Sequence, residues 1–98
     1  MNIQAMMKQA QKLQKEMMEE KEKIDNMEFE SSNSFVTIKA NGKKEIVEVK
    51  VNKDNLDKDD IEMLQDIILV AANNCFKQID QETEKKMGKY TQGMPGLF

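Results

Sequence analysis

Six consecutive apolar residues, 67–72, sit in the middle of the segment IEMLQDIILVAANNCFKQI (61–79). Around them Ile61, Leu64, Ile68, Ala71, Cys75 and Ile79 recur at helical spacing, so the segment reads as a helix with one apolar face. An amphipathic surface helix carries a single apolar stripe, whereas a helix apolar all round needs cover on more than one side. The belt is far shorter than the ~20 apolar residues that a membrane span requires. Either the rest of this chain or a second copy of it must therefore cover the belt, and no membrane association is expected.

The 98 residues suffice for one domain, spanning 1–98. Cys75 is the single cysteine, which excludes an internal disulfide, and its place on the apolar face predicts an inert buried thiol. No positively charged n-region followed by an apolar h-region opens the sequence, so a cytoplasmic protein is expected. Histidine is absent and all 15 basic residues are lysines. Zinc sites usually need His or several Cys, and without His a nucleophile–base pair of the Ser–His or Cys–His type is excluded. The expectation is a protein that is not an enzyme, with no metal, no cofactor and no small-molecule substrate.

Residues 2–27 read as one long helix. Ile3, Met6, Ala10, Leu13, Met17, Ile24 and Met27 follow a three–four spacing that only Glu20 interrupts. This seam packs on another helix, on the chain's own sheet or across a dimer. Lys8, Lys12 and Lys15 lie opposite the seam. Glu19 and Glu22 follow on the same outer face, so charge runs against the helix macrodipole and is not placed for helix stability. A solvated face with Lys15–Glu19 and Glu19–Lys23 pairs, each worth ~0.3 kcal/mol, is the alternative.

From Met27 to Asn52 the period becomes two, giving a three-stranded antiparallel sheet. Met27, Phe29 and Ser31 share a face, Ser32-Asn33-Ser34 makes the first turn, and Val36, Ile38 and Ala40 alternate with polar neighbours. Asn41-Gly42 is a strong signal for a two-residue type I′ hairpin. Val47, Val49 and Val51 face one way on the return strand. A three-stranded sheet with one apolar face needs a helix against it. The final helix is expected over 58–87, capped by Asp59 with Glu62 or by Asp57, and stopped by Gly88. Residues 88–98, including the closing GMPGLF, read as a flexible tail.

A formal charge of −3 hides strong segregation. Residues 1–15 carry +3, 16–34 carry −5, 35–56 carry +2, 57–76 carry −4 and 77–98 carry +1. The helix–strand–strand–strand–helix order places both acidic blocks beside the sheet. Lys8, Lys12, Lys15 and the Lys77–Lys89 group then share the far end. Helices of this length exceed what a small sheet can cover, so their ends project, and the apolar belt points to a homodimer. Leu64, Ile67, Ile68, Ala71, Ala72 and Cys75 are the candidate interface, divided between sheet and partner.

The opening MMKQAQKLQKEM, the hairpin VTIKANGKKEIVEVKV, the segment DKDDIEMLQDIILVAANNCFKQI and the closing GMPGLF together resemble the YbaB/EbfC nucleoid-associated proteins of bacteria. The likeness runs through the whole chain in order. It implies an α+β protomer of order α–β–β–β–α, dimeric and tweezer-like, with two long projecting helices. It also implies cytoplasmic, nucleoid-associated binding to double-stranded DNA with weak sequence preference, and an effect on gene expression. Arginine is common among the family's basic residues and absent here, and glycines often found before Val36 are missing.

The expected DNA-binding residues are Lys8, Lys12 and Lys15, with Lys85, Lys86 and Lys89. Lysine suits phosphate as a flexible point charge, whereas base readout favours bidentate arginine. Gln4, Gln9 and Gln11 offer some adenine preference if the first helix enters a groove. The alternative function is a prefoldin-like protein-interaction or chaperone module, gripping clients through exposed Met7 and Met18.

Overall fold

The computed structural model describes residues 2–91. In order these form α1 (Ile3–Asp25), β1 (Glu28–Asn33), β2 (Val36–Asn41), β3 (Ile46–Val51) and α2 (Lys58–Thr91). The expected α–β–β–β–α architecture is therefore present. The strands make one antiparallel sheet in the order β1-β2-β3. The described residues extend 71 × 21 × 14 Å, a rod in which one core cannot serve both ends.

The core lies where α2 crosses β1 and β2. Phe29, Val36, Ile38 and Ala40 supply the sheet side, and Ile67, Ala71, Cys75 and Ile79 supply the helix side. Ala40, Ala71 and Cys75 are small, which lets the helix axis approach the sheet closely. At that approach the Cys75 thiol donates to the Ile38 carbonyl at 3.2 Å. Burial pushes its pKa up, as an apolar site disfavours the thiolate. Gln78 Nε2 adds a bond to the Glu30 carbonyl at 3.1 Å.

Alternation is as expected on β1, with Phe29 and Ser31 buried between exposed neighbours, and on β2, with Val36, Ile38 and Ala40 buried. β3 differs, because all six of its residues are exposed. Val49 and Val51 pair with Ile38 and Val36 and so point to the core side of the sheet. A helix ~10 Å wide covers two strands spaced ~4.8 Å apart and leaves the third bare. A bulge opposite Lys39/Ala40 adds Val47 as an extra residue to this bare surface. On the opposite face Lys39 bridges Glu28 and Glu48 across all three strands, both at 3.4 Å. Those two carboxylates, Glu48 first, raise its pKa.

Four local expectations need correction. The Asn41-Gly42 connection is not a two-residue type I′ turn, since among the described residues the only non-glycine ones with positive φ are Ser34 and Lys44. It is a four-residue loop organised by the Asn41 side chain, whose Oδ1 accepts from Lys43 N at 2.9 Å and Glu45 N at 3.1 Å. Gly42 serves close approach: a Cβ there would lie 1.7 Å from the Ile24 carbonyl oxygen. The first turn falls on Ser34-Phe35, with Asn33 paired to Val36.

At the start of α2 the cap is Asp57, the second of the two expected, and the Asp59–Glu62 box is replaced by a reciprocal pair of Asp57 with Asp60. Asp60 N donates to Asp57 Oδ1 at 2.8 Å, and Asp57 N donates to Asp60 Oδ2 at 3.1 Å. Lys53 closes the group at 2.7 Å from Asp60 Oδ2. At the other end α2 runs through Gly88 to Thr91. Glycine costs a helix interior only ~1 kcal/mol, and burial of Met87 on the adjacent turn outweighs it. The tail expected to be flexible thus begins as helix, and its remainder, residues 92–98, lies outside the described residues.

Candidate nucleic-acid interface

α1 starts from Asn2, whose Oδ1 accepts from Gln4 N at 3.0 Å and Ala5 N at 3.3 Å. The first turn holds no acidic residue, so the partial positive charge of the helix start is not offset there. Every residue from 2 to 15 is exposed. On a helical wheel Lys8, Lys12 and Lys15 fall within an arc of ~60°, with Gln4 and Gln11 at its border. The seam Ile3, Met6, Ala10, Leu13 lies on the opposite side.

Among the described residues no carboxylate lies within ion-pairing distance of Lys8, Lys12 or Lys15. The Lys15–Glu19 and Glu19–Lys23 pairs of the solvated-face alternative do not form. Lys23 instead reaches Glu20 at 3.6 Å, and Lys21 bonds Asp25. Some of the other lysines are engaged, Lys44 with Asp80 at 2.6 Å, Lys53 with Asp60, and Lys39 with two glutamates, whereas Lys43, Lys50, Lys58 and Lys77 have no ion pair among the described residues. What distinguishes the start of α1 is that its three unpaired lysines form one stripe.

α1 and α2 run side by side and in opposite directions as they leave the sheet. Lys21 of α1 shares a cleft with Ile79 and Thr83 of α2 and the Gly42 loop. From that level Thr91 lies eight residues along α2 and Leu13 eight residues back along α1, ~12 Å in each case. Burial agrees, because α1 is half-buried at Glu16, Met17 and Glu20 and exposed throughout before them. Lys85, Lys86 and Lys89 consequently stand level with residues 15–19, while Lys8 and Lys12 lie beyond the end of α2.

Lys86 is 3.9 Å from Glu82, and Lys89 sits over the Tyr90 ring at 4.9 Å. Lys85 and Lys89 are on the side of α2 opposite buried Met87, as Lys8, Lys12 and Lys15 are opposite the seam. The fold thus brings the two lysine groups onto one arm, facing outward on opposite sides. Lys77 stays beside the sheet, next to Gln78.

The six candidate interface residues divide into two groups of three. Ile67, Ala71 and Cys75 are buried in this chain's own core, whereas Leu64, Ile68 and Ala72 are half-buried at its border. The large apolar surface left bare lies elsewhere: Ile46, Val47, Val49 and Val51 of β3 are 38–57% exposed, and Leu69 and Val70 of α2 are 59% and 46% exposed. Periodicity could not reveal the β3 surface, since it reports which residues share a face but not how many strands one helix covers. The signal was present in the widths of the two elements.

Among the described residues no helix is long and apolar enough to cross a membrane. No cluster of His, Cys, Asp and Glu there is placed to hold a metal ion.

Comparison with known proteins adds a family. The model of the YbaB/EbfC DNA-binding family matches residues 1–94. A nucleoid-associated protein of Clostridium novyi (strain NT) is 48% identical over 102 residues, covering 100% of this chain and 90% of that protein. One of Oceanobacillus iheyensis is 48% identical over 99% of this chain and 97% of its own length. A nucleoid-associated protein of Enterococcus faecalis is 42% identical, covering 98% of this chain and 94% of the relative.

Proposed function

The chain belongs to the YbaB/EbfC DNA-binding family, and from that membership we propose that it acts as a homodimer gripping duplex DNA through its phosphates. The observation that carries this reading is the Lys8–Lys12–Lys15 stripe, exposed on a projecting arm with no carboxylate partner among the described residues. Seven residues of helix separate Lys8 from Lys15 by ~10 Å, the axial rise of about three base pairs of a duplex. Lysine delivers charge to phosphate without the bidentate geometry that reads guanine. Binding is therefore dominated by the backbone, with a weak preference contributed by Gln4 and Gln11 at the border of the stripe. Lys85, Lys86 and Lys89 on the other side of the arm add to the field. In the cell this places the protein in the nucleoid, and its influence on gene expression follows from occupancy of DNA rather than from one operator.

Dimerisation supplies the second arm. A C2 contact covers the same surface on both copies. The bare face and open edge of β3, together with Leu64, Ile68 and Ala72 of α2, are the surface it would cover. An exposed apolar edge strand left uncovered is an aggregation hazard.

The test is gel retardation of a duplex of arbitrary sequence over a salt series, comparing wild type with Lys8→Gln/Lys12→Gln/Lys15→Gln. Neutralising three phosphate contacts per arm lowers the log–log salt slope by ~2.7 for each arm engaged. An unchanged slope, with the variant folded, would refute the assignment. Suppression of client aggregation by a protein that does not retard DNA would favour the chaperone reading instead.

A further inference from the structure

The arm carries lysines on two sides that no single duplex can reach together. Lys8, Lys12 and Lys15 point away from α2, because the inner side of α1 is the one that holds half-buried Met17 and buried Ile24. Lys85 and Lys89 are exposed and lie on the side of α2 opposite buried Met87, so they point away from α1. They follow one another at i, i+4, and Gln81 precedes them on the same line. Lys85 has no ion pair among the described residues, and Lys89 sits over the Tyr90 ring. Lys86 turns toward the flank, where it meets Glu82 at 3.9 Å, and does not belong to this row.

Packed helices stand ~8–10 Å apart axis to axis, and each adds ~5 Å of radius on its outer side. The two lysine rows are therefore held ~20 Å apart. The major groove is ~12 Å wide and admits one helix, not two abreast. A duplex lying against one row has the whole thickness of the arm between itself and the other row.

We infer that each arm bridges two duplex segments, one on Lys8, Lys12 and Lys15 and the other on Lys85 and Lys89. Two duplexes so placed have facing surfaces ~20 Å apart, more than twice the ~8 Å Debye length at physiological salt, so the repulsion between them is largely screened. The row of three lysines loads first and the row of two completes the bridge. Since the bridge adds the phosphates of a second duplex to those of the first, it dissolves at lower salt than single-duplex binding does. Bridging of this kind rests on the duplex binding proposed above. It differs from a homodimer holding one duplex on each arm, which would use the first row twice and leave Lys85 and Lys89 idle.

The test uses the full chain and two duplexes of one arbitrary sequence, one fixed to beads and the other fluorescent and free. Fluorescence captured on the beads reads bridging, and gel retardation of the free duplex reads single-duplex binding. Each protein is used at a concentration that saturates its own retardation. Wild type should retard and capture. Lys85→Gln/Lys89→Gln should still retard but capture no more than beads without protein, and Lys85→Arg/Lys89→Arg should restore capture. Both positions are exposed, so circular dichroism should be unchanged in either variant. Capture by Lys85→Gln/Lys89→Gln equal to that of wild type would overturn the bridge across one arm and assign bridging to two copies of the first row. Retardation by wild type without capture would also overturn it and leave the DNA reading standing, whereas absence of retardation would overturn both.

Discussion

Replacing Gly42 by alanine drives a methyl carbon into the backbone of α1. The added Cβ would stand 1.7 Å from the Ile24 carbonyl oxygen, 2.4 Å from its carbon and 2.9 Å from the Asp25 Cα. These are backbone atoms at the end of a helix, so no side chain can swing aside. Either the hairpin loop or the end of α1 must retreat by more than an ångström. Overpacking of this kind costs ~1–3 kcal/mol, and the upper half of that range applies where no atom can yield cheaply. For a chain of this length each kcal/mol shifts Tm by ~4–8 °C, so a fall of roughly 10–20 °C is expected. Gly88→Ala is the matched control. A Cβ there meets nothing within 4 Å, and the position is helical. Alanine should stabilise by ~0.5–1 kcal/mol through the cost that glycine imposes on a helix interior. Thermal and urea unfolding at one fixed protein concentration reads both, since any association makes Tm concentration-dependent. If Gly42→Ala changed stability by less than ~0.5 kcal/mol, the range of an ordinary surface substitution, the docking of the hairpin loop on α1 would be wrong.

The remaining tests address the cap, the thiol and the bare sheet. Lys53 first, and then the Asp57 backbone N–H, hold the Asp60 carboxyl below the ordinary carboxylate pKa. Its contribution to stability is therefore complete above the unfolded value of ~3.9 and is lost as pH falls through the lower folded value. The stability gap between wild type and Asp60→Asn should be constant near neutrality and close below about pH 4 in acid titrations followed by circular dichroism; a gap independent of pH down to acid would refute the ionic part of the cap. Cys75, buried and with its thiol pKa raised, should react with a thiol reagent only as fast as the fold opens, and immediate labelling of native protein would contradict its placement. Val49→Glu puts a charge on the bare face of β3 without entering the core, so sedimentation should show loss of dimer with retained secondary structure. Ala71→Glu should unfold the protomer itself, because Ala71 is fully buried; if instead both variants gave folded monomers, the division between core and interface would need redrawing.

The order of elements was legible in the sequence because it depends on local periodicity. A three–four repeat from Ile3 to Ile24 can only be a helix, and the alternation through Val36, Ile38 and Ala40 can only be a strand. The outward lysine stripe was legible for the same reason, since side-chain direction on a helix follows from spacing alone. The segregation of charge was equally a matter of counting. Turn and cap chemistry was less so: Asn41, Asp57 and Asp60 are residues that bond to whichever backbone N–H comes within reach, and several arrangements fit the same letters. Gly42 looked like a φ-permissive turn residue, but its reason is the Ile24 carbonyl, an atom 18 positions away in the chain.

The belt at 67–72 shows where sequence ends and tertiary structure begins. Its composition required cover on more than one side, and that requirement is a property of the residues themselves. Which residues go to which cover is decided by the axial rotation of α2 over β1 and β2 and by the width of a helix against a three-stranded sheet. That geometry takes Ile67, Ala71 and Cys75 into the protomer's core. It leaves Leu69, Val70 and the face of β3 bare. Local pattern determines which faces exist, whereas the non-local fit of unequal surfaces determines which of them remain open to a partner.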